Sequence, residues 1–123
     1  MRKDNDSYFY KDDKRPLVTR SLRRSNIRKK IAEYLFEISP SGSYTSEIAY
    51  NVKTTPTNVI GAIRGMDSRY RKDESLLSLE IVEQTTSGRD IKLYKIKDFG
   101  KEIIETIKNN EESFDFKTMK GTS

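Results

Sequence analysis

The sequence predicts an α+β fold that is mainly helical, with a three-helix core followed by a β-hairpin and a C-terminal helix. Three observations carry this expectation. Apolar residues recur at 3.6-residue spacing in three stretches, each opened by a Ser or a Thr. Between residues 79 and 97 the pattern changes to β-branched and aromatic residues on either side of a Ser-Gly turn. After Asp98 the helical spacing returns. A chain of 123 residues fits one small domain. With 33% hydrophobic and 35% charged residues, it supports a modest core. The folded domain is expected over 17–108, between a flexible charged arm at 1–16 and a flexible polar tail at 109–123.

The arm ends at Pro16, and residues 17–24 lead into the first helix, expected over 25–38. Ser25 is a good N-cap, and Ile27, Ile31, Tyr34, Leu35 and Ile38 follow on one face. SPSGS (39–43) breaks that helix. A short second helix is expected over 45–52, capped by Thr45, with Ile48, Ala49 and Val52 inward. After a tight turn, Thr55 caps a third helix over 56–69, and Pro56 takes its first position, where a missing N–H costs nothing. Its apolar stripe is Val59, Ala62, Ile63 and Met66. At 100° per residue the opposite face carries Thr57, Gly61, Arg64 and Ser68, with Asn58 and Ile60 on the flanks. Asp73 is placed to cap a further turn holding Leu76 and Leu77. A hairpin follows over 80–97 with Ser87-Gly88 near its tip. Asp98 then caps a last helix over 98–108, whose apolar face is Phe99, Ile103, Ile104 and Ile107.

The formal net charge is +5, unevenly spread. Residues 1–30 hold 11 Lys/Arg against 4 Asp/Glu, residues 31–97 hold 9 against 9, and residues 98–123 hold 4 against 6. A basic arm on a neutral body points to a polyanionic partner, or else to a solubilising tail. The chain has no Cys and no His. That removes disulfides, Ser-His-Asp and Cys-His nucleophile systems, and thiolate or imidazole metal sites. No nucleophile–base pair, metal-ligand set or phosphate loop is present, so neither an enzyme nor a cofactor is expected, and no effector is identifiable. The longest apolar runs are a few residues and no apolar signal region opens the chain, so no membrane partner is expected and the expected location is cytoplasmic.

Helices joined by a tight turn and followed by a hairpin make a winged helix-turn-helix. In such a unit the second helix of the turn enters the major groove, which is about 12 Å wide and admits an α-helix, while the wing flanks it. YTSEIAYNVKTTPTNVIGAIRGM (44–66) resembles the helix-turn-helix of ArsR- and MarR-type winged-helix regulators, with SEIA, the turn before Thr55 and the Val59/Ile63 spacing in register. LEIVEQTTSGRDIKLYKIKDFGKEI (79–103) resembles their wing and the helix after it. The nearest fit is to small archaeal regulators, over roughly Ser25 to Lys108. The resemblance implies sequence-specific binding of double-stranded DNA by a homodimeric transcriptional regulator, with helix 56–69 in the major groove and wing 80–97 beside it. The alternative is a winged-helix module that binds proteins of the transcription or replication machinery. RGMDSRYRKDESLL (64–77) is longer than the usual link to the wing, and the lack of Cys and His excludes metal sensing of the usual ArsR form.

The candidate DNA contacts follow from these placements. Thr55, Thr57 and Asn58 offer hydrogen bonds, and Arg64 can reach a guanine edge or a phosphate. Gly61 and Gly65 fall inside the expected helix, where glycine costs about 0.5–1 kcal/mol relative to alanine. Gly61 fits either a close approach to DNA or close packing of another helix. Ser68, Arg69, Arg71 and Lys72 continue the polar edge, and Arg89 sits at the wing tip. Arg20, Arg23, Arg24, Arg28, Lys29 and Lys30 surround the start of the first helix and suit phosphates or a solvated arm. Phe36, Phe99, Ile103, Ile104 and Ile107 exceed what one small core needs and are the expected dimer interface.

Overall fold

The computed structural model describes the backbone of residues 14–66 and 71–122, and the side chains of those up to residue 110. Helix α1 spans Arg15–Arg24 and α2 Asn26–Ile38, followed by strand β1, Ser43–Tyr44. The two central helices are α3, Thr45–Val52, and α4, Pro56–Arg64. A 3-10 turn at Lys72–Glu74 precedes strands β2, Val82–Ser87, and β3, Ile91–Ile96, and helix α5 closes the chain at Asp98–Thr122. This is a winged-helix fold, with five helices among the described residues and a small antiparallel sheet in the order β1-β3-β2.

Each junction has a local cause. Ser25 accepts the Arg28 N–H at 3.2 Å and Thr55 accepts that of Asn58 at 3.1 Å, which caps α2 and α4. Between α3 and α4, Lys53 takes the left-handed conformation at φ 63°, and the N–H of Thr54 returns to the Ala49 carbonyl at 2.9 Å. The core is Val18 and Leu22 of α1, Ile31, Ala32 and Leu35 of α2, the Ile48/Ala49/Val52 face of α3, and Val59, Ala62 and Ile63 of α4. Leu76, Leu79, Ile81, Val82, Tyr94, Ile96, Ile103 and Ile104 complete it.

Several expectations are corrected. A helix precedes the first expected one: Pro16 sits in its opening turn, and Val18 and Leu22, one turn apart, seal it to the core. It begins at Arg15, inside the stretch assigned to the arm. The N-cap of α3 is Tyr44, one residue before Thr45, because Glu47 reaches back to accept the Tyr44 N–H at 3.1 Å. The third helix stops at Arg64, where Gly65 adopts φ +90°. The chain turns there, leaving Met66 36% exposed and out of the apolar stripe. Asp73 caps no α-helical turn. Instead the N–H groups of Leu76 and Leu77 satisfy the last carbonyls of α4, Ala62 at 3.1 Å and Ile63 at 3.0 Å. The long link is therefore the closure of α4. Strand β1 was unforeseen, since two residues carry no alternation. Ser43 and Tyr44 pair with Tyr94 and Leu93. The last helix continues past Lys108 to Thr122, through residues assigned to a tail.

Candidate nucleic-acid interface

Helix α4 is sealed on one side by Val59, Ala62 and Ile63 and open on the other, where Thr57 and Arg64 are exposed two turns apart. The Arg64 charge lies beside the Tyr94 hydroxyl at the base of the wing. Burial pushes that hydroxyl above its ordinary value of 10.0, against the Arg64 charge and hydrogen bonds with Thr45 and Arg64. Asn58 is turned inward to the helix start, its amide donating to the Thr54 hydroxyl at 3.0 Å, and the Thr55 hydroxyl is committed to its cap. Gly61 corrects the expectation of an outward, DNA-facing position: it is buried. A residue without a side chain adds no surface of its own, so the groups around it cover it.

The cations expected to act together are divided among faces. Arg20, Arg24 and Arg71 converge beside Asp73 and Glu74. Arg24 Nη1 lies 2.8 Å from Glu74 Oε2, and Arg71 forks onto Asp73 at 3.2 and 3.1 Å. The hydrogen bond from Arg71 holds the Asp73 carboxyl below its ordinary range. Arg28 is only 4% exposed and inserts between helices. Its guanidinium donates to the Ser21 carbonyl at 3.2 Å and to Glu74 at 3.4 Å, so it is structural rather than part of a phosphate-binding arm. Arg23 and Lys29 line a different groove, of about 520 Å³, floored by Leu22, Ile103 and Ile107. Arg89 is exposed at the wing tip, beside Gly88 at φ +58°. Ser68 and Arg69 lie outside the described residues.

Lys72 joins α4 through the link. The chain passes so close to the end of α4 that a Cβ on Gly65 would meet Lys72 Cα at 2.6 Å. This gathers Arg64 and Lys72 at one open groove of about 870 Å³ between α4, the link and β2, with Ile60, Met66, Leu77 and Gln84 also lining it. Sequence reasoning missed Ile60 and Gln84. The first was placed on a flank, and the second was one exposed strand residue among many. The signal for Ile60 was its spacing, three residues after Thr57 and four before Arg64.

The expected dimer face is also corrected. Ile103 and Ile104 are 5% and 1% exposed and belong to the monomer core. Helices α1 and α2 pack on the inner face of α5 and enclose Ile103 and Ile104 there. Phe36, Phe99 and Ile107 are half-buried against the same core. Lys108 lies over the Phe36 ring at 5.7 Å.

Residues 18–107 match the model of a family described as EarA-like. The chain is 41% identical over 99 residues to the uncharacterized protein MJ0905 of Methanocaldococcus jannaschii, covering 80% of this chain and 88% of that one. Its fold is similar to that of MepR, a transcription regulator of a Staphylococcus aureus multidrug efflux pump, with a TM-score of 0.65 at 12% identity over 95% of this chain and 84% of that one. A MepR–DNA complex superposes with a TM-score of 0.59 at 14% identity, covering 94% and 90% of the two chains.

Proposed function

This chain belongs to the EarA-like family, and from its winged-helix fold and the open face of α4 we propose that it binds double-stranded DNA in the cytoplasm as a sequence-specific transcriptional regulator. The observation that carries the reading is the pairing of exposed Thr57 and Arg64 on a helix whose other side is locked into the core. Such a helix is held rigidly against the core with Thr57 and Arg64 exposed, and an α-helix matches the width of a major groove. The DNA complex of the similarly folded MepR supports it. In this reading Arg64 and Thr57 face base edges, Lys72 and Arg89 grip the backbone on the wing side, and Arg20, Arg23, Arg24, Lys29 and Arg71 add a diffuse field that Asp73 and Glu74 weaken around Arg20, Arg24 and Arg71. A second copy docks along α5 beside Phe36 and Ile107, which presents two α4 helices to a pseudo-palindromic site.

The test begins with selection of bound duplexes from a random pool. On the recovered site Arg64→Ala weakens binding by about 1–3 kcal/mol and relaxes preference at one base pair. Lys72→Ala weakens all duplexes alike and lowers the salt slope by about one unit. An equal, sequence-blind loss for both variants would remove α4 as a reader of bases and favour a protein-binding module.

A further inference from the structure

We propose that Ile60 reads the 5-methyl group of a thymine in the major groove, beside the base contacted by Arg64, so that the recognition face senses shape as well as hydrogen bonds. This inference rests on the DNA-binding reading above and adds to it the base identity sensed at one position. Thr57, Ile60 and Arg64 are spaced i, i+3 and i+7, which sets them along one side of α4. Ile60 is half-buried, unlike Val59 and Ile63 on the core side, which are fully enclosed. It opens onto the groove between helix and wing, with Met66 and Leu77 near it and Arg64, Lys72 and Gln84 at its margins. An apolar side chain flanked by two cations calls for a ligand that is polyanionic overall and carries a small apolar group within. In the major groove the thymine C5-methyl is the one such group, and it distinguishes A·T from every other pair when contacted by an apolar side chain. Ile60 thus supplies discrimination where Arg64 supplies a donor and Lys72 supplies charge.

The experiment uses the full chain and the duplex recovered from the random pool. Each thymine is replaced in turn by deoxyuridine, which removes the methyl and leaves every base-pair hydrogen bond in place. At one position the wild type loses about four-fold in affinity, the worth of one buried methyl. Ile60→Ala binds the thymine and uracil duplexes equally there. Ile60→Gln is the second variant, should the truncation loosen the helix, and it too erases the discrimination. Indifference of the wild type to uracil at every thymine overturns the inference, as does a four-fold preference retained by Ile60→Ala or Ile60→Gln. Those outcomes leave DNA recognition by α4 intact. Recovery of no preferred duplex from the pool instead overturns the DNA reading itself, and the inference with it.

Discussion

At residue scale, Gly100 and Tyr94 carry opposite lessons about burial. Gly100 lies where the first turn of α5 crosses the lead into the wing, and a Cβ added there would meet the Ile81 carbonyl oxygen at 2.5 Å. Alanine improves helix propensity by about 1 kcal/mol, but the obstacle is backbone, and the Ile81 carbonyl already accepts the Lys97 N–H at 2.8 Å. The clash therefore wins. Gly100→Ala is expected to destabilise the protein by about 1–3 kcal/mol, visible as a lower denaturant midpoint. A variant at least as stable as wild type would show that α5 can slide away from the wing. Tyr94 is buried at 1% exposure, and its hydroxyl titrates above 10.0 because burial disfavours the phenolate. A folded value above the unfolded one gives stability that is present below pH 10 and is lost as pH rises through the folded value. Stability should fall on the alkaline side, and the fall should be shallower in Tyr94→Phe. Parallel curves for the two proteins would remove Tyr94 as the cause.

At element scale, Glu74 ties the link between α4 and the wing to the first two helices. Glu74 receives Arg24 at 2.8 Å and Arg28 at 3.4 Å, while its backbone carbonyl accepts the Ser21 hydroxyl at 2.7 Å. Two helices are thus tied to the segment whose Leu76 and Leu77 amides close α4. The Arg24 contact is half in solvent, with a side chain 54% exposed, and adds little. The Arg28 contact matters through what its loss leaves behind, a buried guanidinium without a carboxylate. Glu74→Ala should cost about 3–5 kcal/mol in equilibrium unfolding, with Glu74→Gln recovering part through a retained acceptor. An effect below about 1 kcal/mol for the alanine variant would mean that Arg28 reaches solvent when its partner is removed. The bridge from Lys14 at 2.9 Å and Lys97 at 3.3 Å to Glu80 is exposed. Hydrogen bonds from Lys14 and Lys97 hold the Glu80 carboxyl below its ordinary range, so what it contributes is lost as pH falls through that depressed value.

At the scale of the whole molecule, α5 has 25 residues, about 37 Å of helix at 1.5 Å per residue. Ile103 and Ile104 join the core from its first two turns, while Ile107, one turn on, and Phe36 of α2 are only half-buried. That remaining apolar surface supports association along α5. We expect sedimentation to give a dimer at micromolar concentration, and Ile107→Glu to shift it toward monomer while weakening DNA binding through the loss of the second half-site. A wild-type protein that sediments as a monomer at high micromolar concentration would exclude the paired arrangement.

Much of this fold was legible in the chain because its signals are local. Ser25 and Thr55 cap the helices they precede, Pro56 opens α4, and the Ile48/Ala49/Val52 and Val59/Ala62/Ile63 faces are inward as their periodicity requires. The change of period at residue 79 marks the wing, and β2 and β3 pair around the Ser87–Ile91 turn. What needed tertiary structure was every assignment that depends on a distant partner. Gly61 sits on the polar side of a helical wheel, yet other groups bury it. Ile103 and Ile104 read as surplus apolar surface until α1, itself unforeseen, enlarged the core they join. Arg28 reads as one more basic-arm residue until Glu74, 46 positions away, comes within 3.4 Å. The sequence by itself determined where α2, α4, α5 and the wing begin, because caps and periodicity act within one turn. Only the tertiary structure decided which polar and apolar groups remain open, because burial and charge pairing are set by residues that chain order does not bring together.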